Sequence, residues 1–495
     1  MGRFTFWAVL ALTVAAFAAF STSALAQTSP GGTVTAVYTL PLTRLGAAIN
    51  AARPGTIAND RAVNLGGIGS DLWHDATDPA DTFWMLTDRG PNGQIPVNGQ
   101  TRRTFPVPDF TPILLKVQLM PDSTLKILQT LPLVGQSGKP ITGLSNLKGI
   151  DEDPYNFDAQ QLLTWNESGL DTEGLVRTPN GDFWLVDEYS ASLVRTDSTG
   201  KVLKRYVPQG VALPNADYPV ADALPAIFSK RTANRGFEGV AITPDGKTLV
   251  LALQSPLRHP DAATGNASRN TRFLTFDVAT EKITGEYVYQ FQPFAEFKTS
   301  RASEMKVSSI VAIDANNFLV DERTDQVAKV YRIDLSKATN ILGTKWDQTA
   351  TSPALEAIDN VMPQGITPLP KSLVVDLSQF KEMPEKIEGL SIIGANTLVV
   401  ANDNDFSFSE KADASGNFAD PGVRSRVVVL NLPGGFTGVA APFTAAALAA
   451  APAPAKTGGA GLLEGSSTAV PALAITLALA AMTVGRLATH KGRRP

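Results

Sequence analysis

The chain has 495 residues, 43% hydrophobic and 18% charged, enough to bury a large core, and it contains no cysteine and only three histidines. Disulfides, thiolate metal sites and cysteine nucleophiles are excluded, and a histidine-rich zinc site with them. The formal charge is −4, but the two ends hold five basic and no acidic side chains; residues 27–465 keep 38 basic against 47 acidic, which suits cations and argues against nucleic acid.

In chain order, residues 1–26 carry Arg3, an apolar run through Phe20 and then Ala24-Leu25-Ala26, the pattern of a secretory signal peptide with its cleavage site. VTAVYTLPL at 34–42 is strand-like and free to join the last repeat and close a ring. GGIGSDLW at 66–73 has no P-loop lysine after it and reads as a turn that starts a strand. One pattern then recurs: an apolar run, a turn, and a second run ending in an acid or amide. Second runs are FWMLTDRG (83–90), FWLVDEYS (183–190), TLVLALQS (248–255), NFLVDERT (317–324) and TLVVANDN (397–404). Four have a partner run before them: EGLVRT (173–178), EGVAIT (238–243), VSSIVAID (307–314) and EGLSII (388–393). Strands rich in β-branched residues, with hairpin turns, follow most of them.

Each unit thus holds about four short antiparallel strands, and run ends at Asp88, Asp187, Gln254, Asp321 and Asp403 mark a radial repeat. The expectation is an all-β fold, a β-propeller over residues 33–436. Five blades are visible, and a sixth can be assembled from 344–385 or from 127–165. Residues 437–465 form an Ala/Pro/Gly-rich linker, 466–487 an uncharged apolar stretch long enough for a transmembrane helix, and 488–495 a basic cytoplasmic tail. A tail exchanged for a lipid anchor has a similar pattern. The expected arrangement is a monomeric ectodomain outside the cytoplasm, tethered to the membrane.

In a blade, a residue just before the inner strand and one at the end of the next antiparallel strand return to the same face. That logic gathers Asp88, Glu173, Asp187, Glu188, Glu238, Asp321, Glu322, Glu388 and Asp403 at an acidic hub. Converging carboxylates need a counter-charge. Arg89, Arg235 and Arg323 lie beside them and are the candidates to bind an anionic substrate. Oxygen ligands without His or Cys favour Ca²⁺, so the nine acids are candidate calcium ligands. Bound calcium would clamp an anionic ester and acidify a water. The competing reading is acids ion-paired from blade to blade. A Ser-His-Asp hydrolase is disfavoured: no G-x-S-x-G elbow occurs, and His74 and His259 fit loops.

LDTEGLVRTPNGDFWLVDEY, NRGFEGVAITPDGKTLVLALQSPL, FLVDERT and KIEGLSIIGANTLVVANDND together resemble the phytase-like (esterase-like activity of phytase) family, across roughly residues 60–434. The resemblance implies a propeller and the hydrolysis of a small anionic ester or phosphoester. It supplies no catalytic residues. A lactonase-like sugar-acid hydrolase and a non-catalytic propeller that binds a partner remain as alternatives.

Overall fold

The second strand of each repeat is apolar at consecutive positions, as in Phe183-Trp184-Leu185-Val186, which demands that both of its faces be covered. Phe183 and Leu185 pack with Trp84 and Leu86 of the preceding sheet, while Trp184 and Val186 pack with Val240 and Leu251 of the following one. Each such buried side chain contributes about 1.5–3 kcal/mol. Face-to-face stacking of sheets about an axis is therefore written into the second strands.

The computed structural model describes residues 31–436. Five sheets of four antiparallel strands form the blades. Blade 1 holds Asp71–Trp73, Thr82–Leu86, Ile113–Leu119 and Leu125–Pro132, and blade 2 holds Thr172–Arg177, Phe183–Asp187, Ser192–Thr196 and Val202–Pro208. Blade 2 gains a fifth, parallel strand, Val220–Leu224. Blade 3 consists of Phe237–Ile242, Thr248–Leu253, Asn270–Asp277 and Lys282–Gln290. Blade 4 consists of Lys306–Ala312, Asn317–Arg323, Ala328–Asp334 and Lys371–Asp376. Blade 5 takes Ile387–Ile393, Thr397–Asn402 and Arg426–Asn431 from the end of the described chain, and its outermost strand, Thr33–Thr39, from the beginning. The inner strands of blades 1 to 5 neighbour one another in a closed circuit, and a separate apolar cluster fills each of the five interfaces.

The ring has five blades among the described residues, not six. Neither segment expected to supply the sixth is free to do so. Lys371–Asp376 pairs with Ala328–Asp334 as the outer strand of blade 4. Residues 341–366 spend their apolar side chains, Ile341, Trp346, Leu355, Val361 and Ile366, on covering Val288 at the outer strand of blade 3. Within 127–165, Leu125–Pro132 is the outer strand of blade 1, and Pro154–Tyr155 joins Gly93–Val97 and Gln100–Thr104 in a small three-stranded sheet.

Among the described residues no helix is long and apolar enough to cross a membrane. The signal peptide expected at 1–26, and the linker, helix and tail expected from 437 onward, lie outside the described residues.

Candidate functional site

The inner strands of blades 2 to 5 share one irregularity. Pairing steps from Thr172 to Gly174, from Phe237 to Gly239, from Val307 to Ser309 and from Ile387 to Gly389, leaving Glu173, Glu238, Ser308 and Glu388 as extra residues in a β-bulge. A bulge re-aims the side chain it carries, and all three bulged glutamates line one cavity of about 140 Å³. The glycine after each glutamate has its own cause. A Cβ on Gly174 would lie 2.9 Å from the Glu238 carbonyl oxygen, one on Gly239 3.1 Å from Ile310 N, and one on Gly389 3.1 Å from the Asp71 carbonyl carbon. The recurring Glu-Gly pair is thus one residue aimed at the cavity and one that lets the next blade approach.

Carried to the ends of the second strands and just past them, the same registers align Asp88, Glu188, Gln254, Arg323 and Asp403 at one level in the five blades, and all five line the cavity. Two residues before the bulge, Asp171, Lys306 and Lys386 line it too. Arg89, and Asn92 and Arg103 from the loop and hairpin of the small sheet, complete one wall. Arg103 is tied to Glu152 and Asn92, and Arg89 lies 3.2 Å from Glu152 and 3.5 Å from Asp171.

Of the residues expected at the hub, the structure therefore brings together Asp88, Glu173, Glu188, Glu238, Glu388, Asp403, Arg89 and Arg323. Four others lie off the cavity lining. Adjacent strand residues face opposite sides, so Asp187 points away when Glu188 points in. Its carboxylate accepts from Arg205 Nη2 and Ser192 Oγ, each at 2.6 Å, and from Asp171 N at 2.7 Å. In blade 4 the aligned residue is Arg323, two positions beyond Asp321. Asp321 is fully buried with neither oxygen hydrogen-bonded, and Glu322 faces blade 3, bound to Lys371, Tyr289 Oη and Gln292 N. Arg235 donates to Ser255 Oγ at the rim. Arg323 is fully buried and paired with Glu388, and lies 3.8 Å from Glu238, so it neutralises hub acids. Sequence reasoning missed Asp171, Lys306 and Lys386, although each stands two residues before Glu173, Ser308 or Glu388, a spacing visible in the repeats.

Two carboxylate triads could each hold a cation: Asp88, Asp171 and Glu173, and Glu173, Glu238 and Glu388, with ligand atoms within 4.8 Å of one another. Burial pushes the Glu173 carboxyl well above the usual range, and the charges of Glu238, Asp171, Glu188 and Asp88 add to it. Burial and neighbouring acids likewise raise Asp88 and Glu188. No cation among the described residues pairs with Glu173. Among the described residues, the cavity-lining acceptors Asn234 Oδ1 and Gln254 Oε1 have no hydrogen-bond donor, the Gln254 amide nitrogen already serving Glu188 and Glu238, and Asp171 Oδ2 has none either but faces Arg89 Nη1 at 3.5 Å. The two triads offer oxygen donors alone, and Glu173, common to both, is unpaired among the described residues, a set that fits calcium.

One residue beyond the bulge level, Asp71 reaches from blade 1 to the adjacent blade 2 and to the non-adjacent blade 4. Its Oδ1 accepts from Ser309 Oγ of blade 4 and its Oδ2 from Leu175 N of blade 2, both at 2.9 Å. Burial pushes this carboxyl up to about 7 despite those bonds. An unfolded Asp titrates near about 4, so the folded state holds the extra proton between these values. The Asp71 contribution to stability should therefore be fully present below about pH 4 and be lost as pH rises through about 7. Urea denaturation of Asp71→Asn across that window is expected to show a shallower decline than the wild type.

The sequence profile of a family described as "Phytase-like: Esterase-like activity of phytase" matches residues 63–406, which takes in the hub residues of every blade. A relative described as an uncharacterized secreted protein of Arthroderma benhamiae is 26% identical over 392 residues, 67% of this chain and 75% of the relative. Among solved structures, a luciferin-regenerating enzyme aligns at 12% identity and TM-score 0.31, covering 77% of this chain and 97% of its own. A virginiamycin B lyase from Staphylococcus aureus aligns at 11% identity and TM-score 0.26, covering 74% and 95%. With the profile spanning all five blades' hub positions, the chain belongs to the phytase-like family.

Proposed function

We propose that the protein is an exported hydrolase of small anionic esters, phosphoesters foremost, that works with a divalent cation, best matched by calcium, held at Asp88, Asp171 and Glu173. The observation that carries this reading is the convergence of those three buried carboxylates on a point where Glu173 has no cationic partner among the described residues. Calcium there supplies Lewis-acid polarisation of the ester oxygen and a more acidic water. The protein's own residues do the rest. Glu188, a carboxyl held above its usual range, suits holding a proton and returning it to the leaving oxygen. Gln254 fixes Glu188 and Glu238 relative to each other through its amide nitrogen. Arg89 and Arg103 place positive charge on the small-sheet wall, where an anionic substrate enters. Export is supported by the signal-like residues 1–26 and by a relative described as secreted; attachment through 466–487 rests on hydropathy alone.

The purified protein should hydrolyse p-nitrophenyl phosphate or p-nitrophenyl acetate, lose that activity in EDTA and regain it with Ca²⁺. Preference for the phosphate supports the anionic class, whereas preference for the neutral acetate would replace it with a carboxylic ester. Calcium binding without hydrolysis of either ester would shift the reading to a lactonase-like enzyme or a binding propeller. No metal binding at all would leave the hub acids as ion-pairing groups between blades.

A further inference from the structure

A second group of buried charges lies at the outer strand of blade 3, and none of its members lines the cavity. Residues 341–366 cover this strand. The Ile341 amide donates to the Glu286 carbonyl at 2.8 Å, and Arg272 Nη1 donates to the Trp346 carbonyl at 2.9 Å. Neutral bonds hold the later part: Asn270 Nδ2 donates to the carbonyls of Leu355 and Ile358, and Gln290 Nε2 to that of Asp359.

Charge at this contact does not balance. Arg272 comes from the third strand of blade 3, Glu286 from the outer strand, and Asp347 and Glu356 from the covering segment. Arg272 pairs with Glu286 Oε1 at 2.6 Å and Glu356 Oε1 at 2.9 Å, all three side chains being fully buried. The carboxyl groups of Glu286 and Asp347 stand in hydrogen-bonding contact. Among the described residues no cation besides Arg272 lies within ion-pair distance of the three acids. The nearby Lys345 is exposed and sits over the Trp346 ring. Each acid also keeps one oxygen without a donor among the described residues: Glu286 Oε2, Asp347 Oδ1 and Glu356 Oε2. Two carboxylates in contact are both acceptors and repel. One proton shared by Glu286 and Asp347 turns that contact into a bond and removes a negative charge from the interior.

We infer that Glu286 and Asp347 form a proton-operated latch, which holds residues 342–351 against blade 3 while the pair carries its proton and releases them when the proton leaves. Trp346 is the only fully covered residue in that stretch, so opening uncovers little else. From Leu355 onward the neutral bonds and apolar packing hold the segment at any pH. Burial and Asp347, against the pull of Arg272, push the Glu286 carboxyl up to about 7, whereas an unfolded Glu titrates near about 4. A raised value means that the latch is fully closed below about pH 4 and is lost as pH rises through about 7. The latch is independent of the catalytic reading.

Hydrogen exchange of the full chain, in EDTA so that no cation competes with the proton, tests it. The amides of Thr344, Asp347 and Gln348 each donate within the stretch and report its opening. After correction for the intrinsic pH dependence of exchange, their protection should fall about tenfold between pH 6 and pH 8. Asp347→Asn puts an amide hydrogen where the proton stood, so protection at pH 8 should stay within about twofold of its pH 6 level. Glu286→Gln should do the same from the other partner; if that variant unfolds, Asp347→Asn decides alone. The amides of Ile358 and Gln364 serve as the reference and should not respond. Equal protection at the two pH values in the wild type, a tenfold loss that persists in Asp347→Asn, or an equal loss at the reference amides overturns the latch.

Discussion

Glu173→Gln is expected to abolish calcium binding and to lower ester hydrolysis by roughly 100-fold or more, beyond what loss of an outer-shell partner costs a metal site. Glu173 is the one residue common to both carboxylate triads, so its charge serves any cation bound at either. The amide keeps one oxygen but loses the negative charge that makes a hard cation prefer this point to water. The same change should raise the stability of the metal-free protein. Burial and four neighbouring acids hold the Glu173 carboxyl well above its usual range, so its ionised form is a cost that folding bears without calcium. Thermal melts in EDTA near pH 8 should place Glu173→Gln above the wild type, and melts in millimolar Ca²⁺ should reverse the order. A variant that melts lower than the wild type in both conditions would show that Glu173 supports the fold and that the cation reading is wrong.

Arg205→Met should be the most damaging substitution away from the cavity, costing about 3–5 kcal/mol in urea denaturation at neutral pH. Arg205 and Asp187 are both fully buried and lie 2.6 Å apart. Arg205 also donates to Ser192 Oγ, Asn146 Oδ1 and the Tyr189 carbonyl, which ties the loop ahead of blade 2 to the blade's outer strands. Removing the guanidinium strands a carboxylate that burial already pushes up to about 6 with the arginine in place. That carboxylate accepts the Asp171 amide, so calcium affinity should fall together with stability. The folded-state pKa of Asp187 lies above its unfolded value, and losing Arg205 raises it further. The penalty should therefore shrink on acidification and grow as pH rises through about 6. The half-exposed pair of Arg195 and Asp182 is the control: its removal should cost about 1 kcal/mol or less. Equal effects of the two substitutions would mean that the interior pair is solvated.

Much of the architecture was legible because blade stacking imposes a composition. A second strand covered on both faces must be apolar throughout, and the runs around Phe183, Leu249, Phe318 and Leu398 could be recognised by that alone. The Glu-Gly pairs were legible as a repeat, though their two causes, a bulge and a close approach of backbones, were not. The missing sixth blade illustrates the limit. KSLVVDLSQF is strand-like, and pairing it as an outer strand of blade 4 satisfies its backbone as well as a new blade would.

By itself, the sequence determined that this is a repeated β fold without thiol or histidine-rich chemistry, and that acids recur where strands meet the hub. Those properties depend on residue type and spacing within single repeats. Tertiary structure decided which residue at each second-strand end faces the cavity: Glu188 rather than Asp187, and Arg323 rather than either acid of the pair Asp321 and Glu322. Side-chain direction reverses with every residue along a strand, and bulges shift the count by one, so an error of one position exchanges hub and interior. Closure of the ring, by contrast, was within reach of the sequence, since the strand-like run at 34–42 does join the last blade.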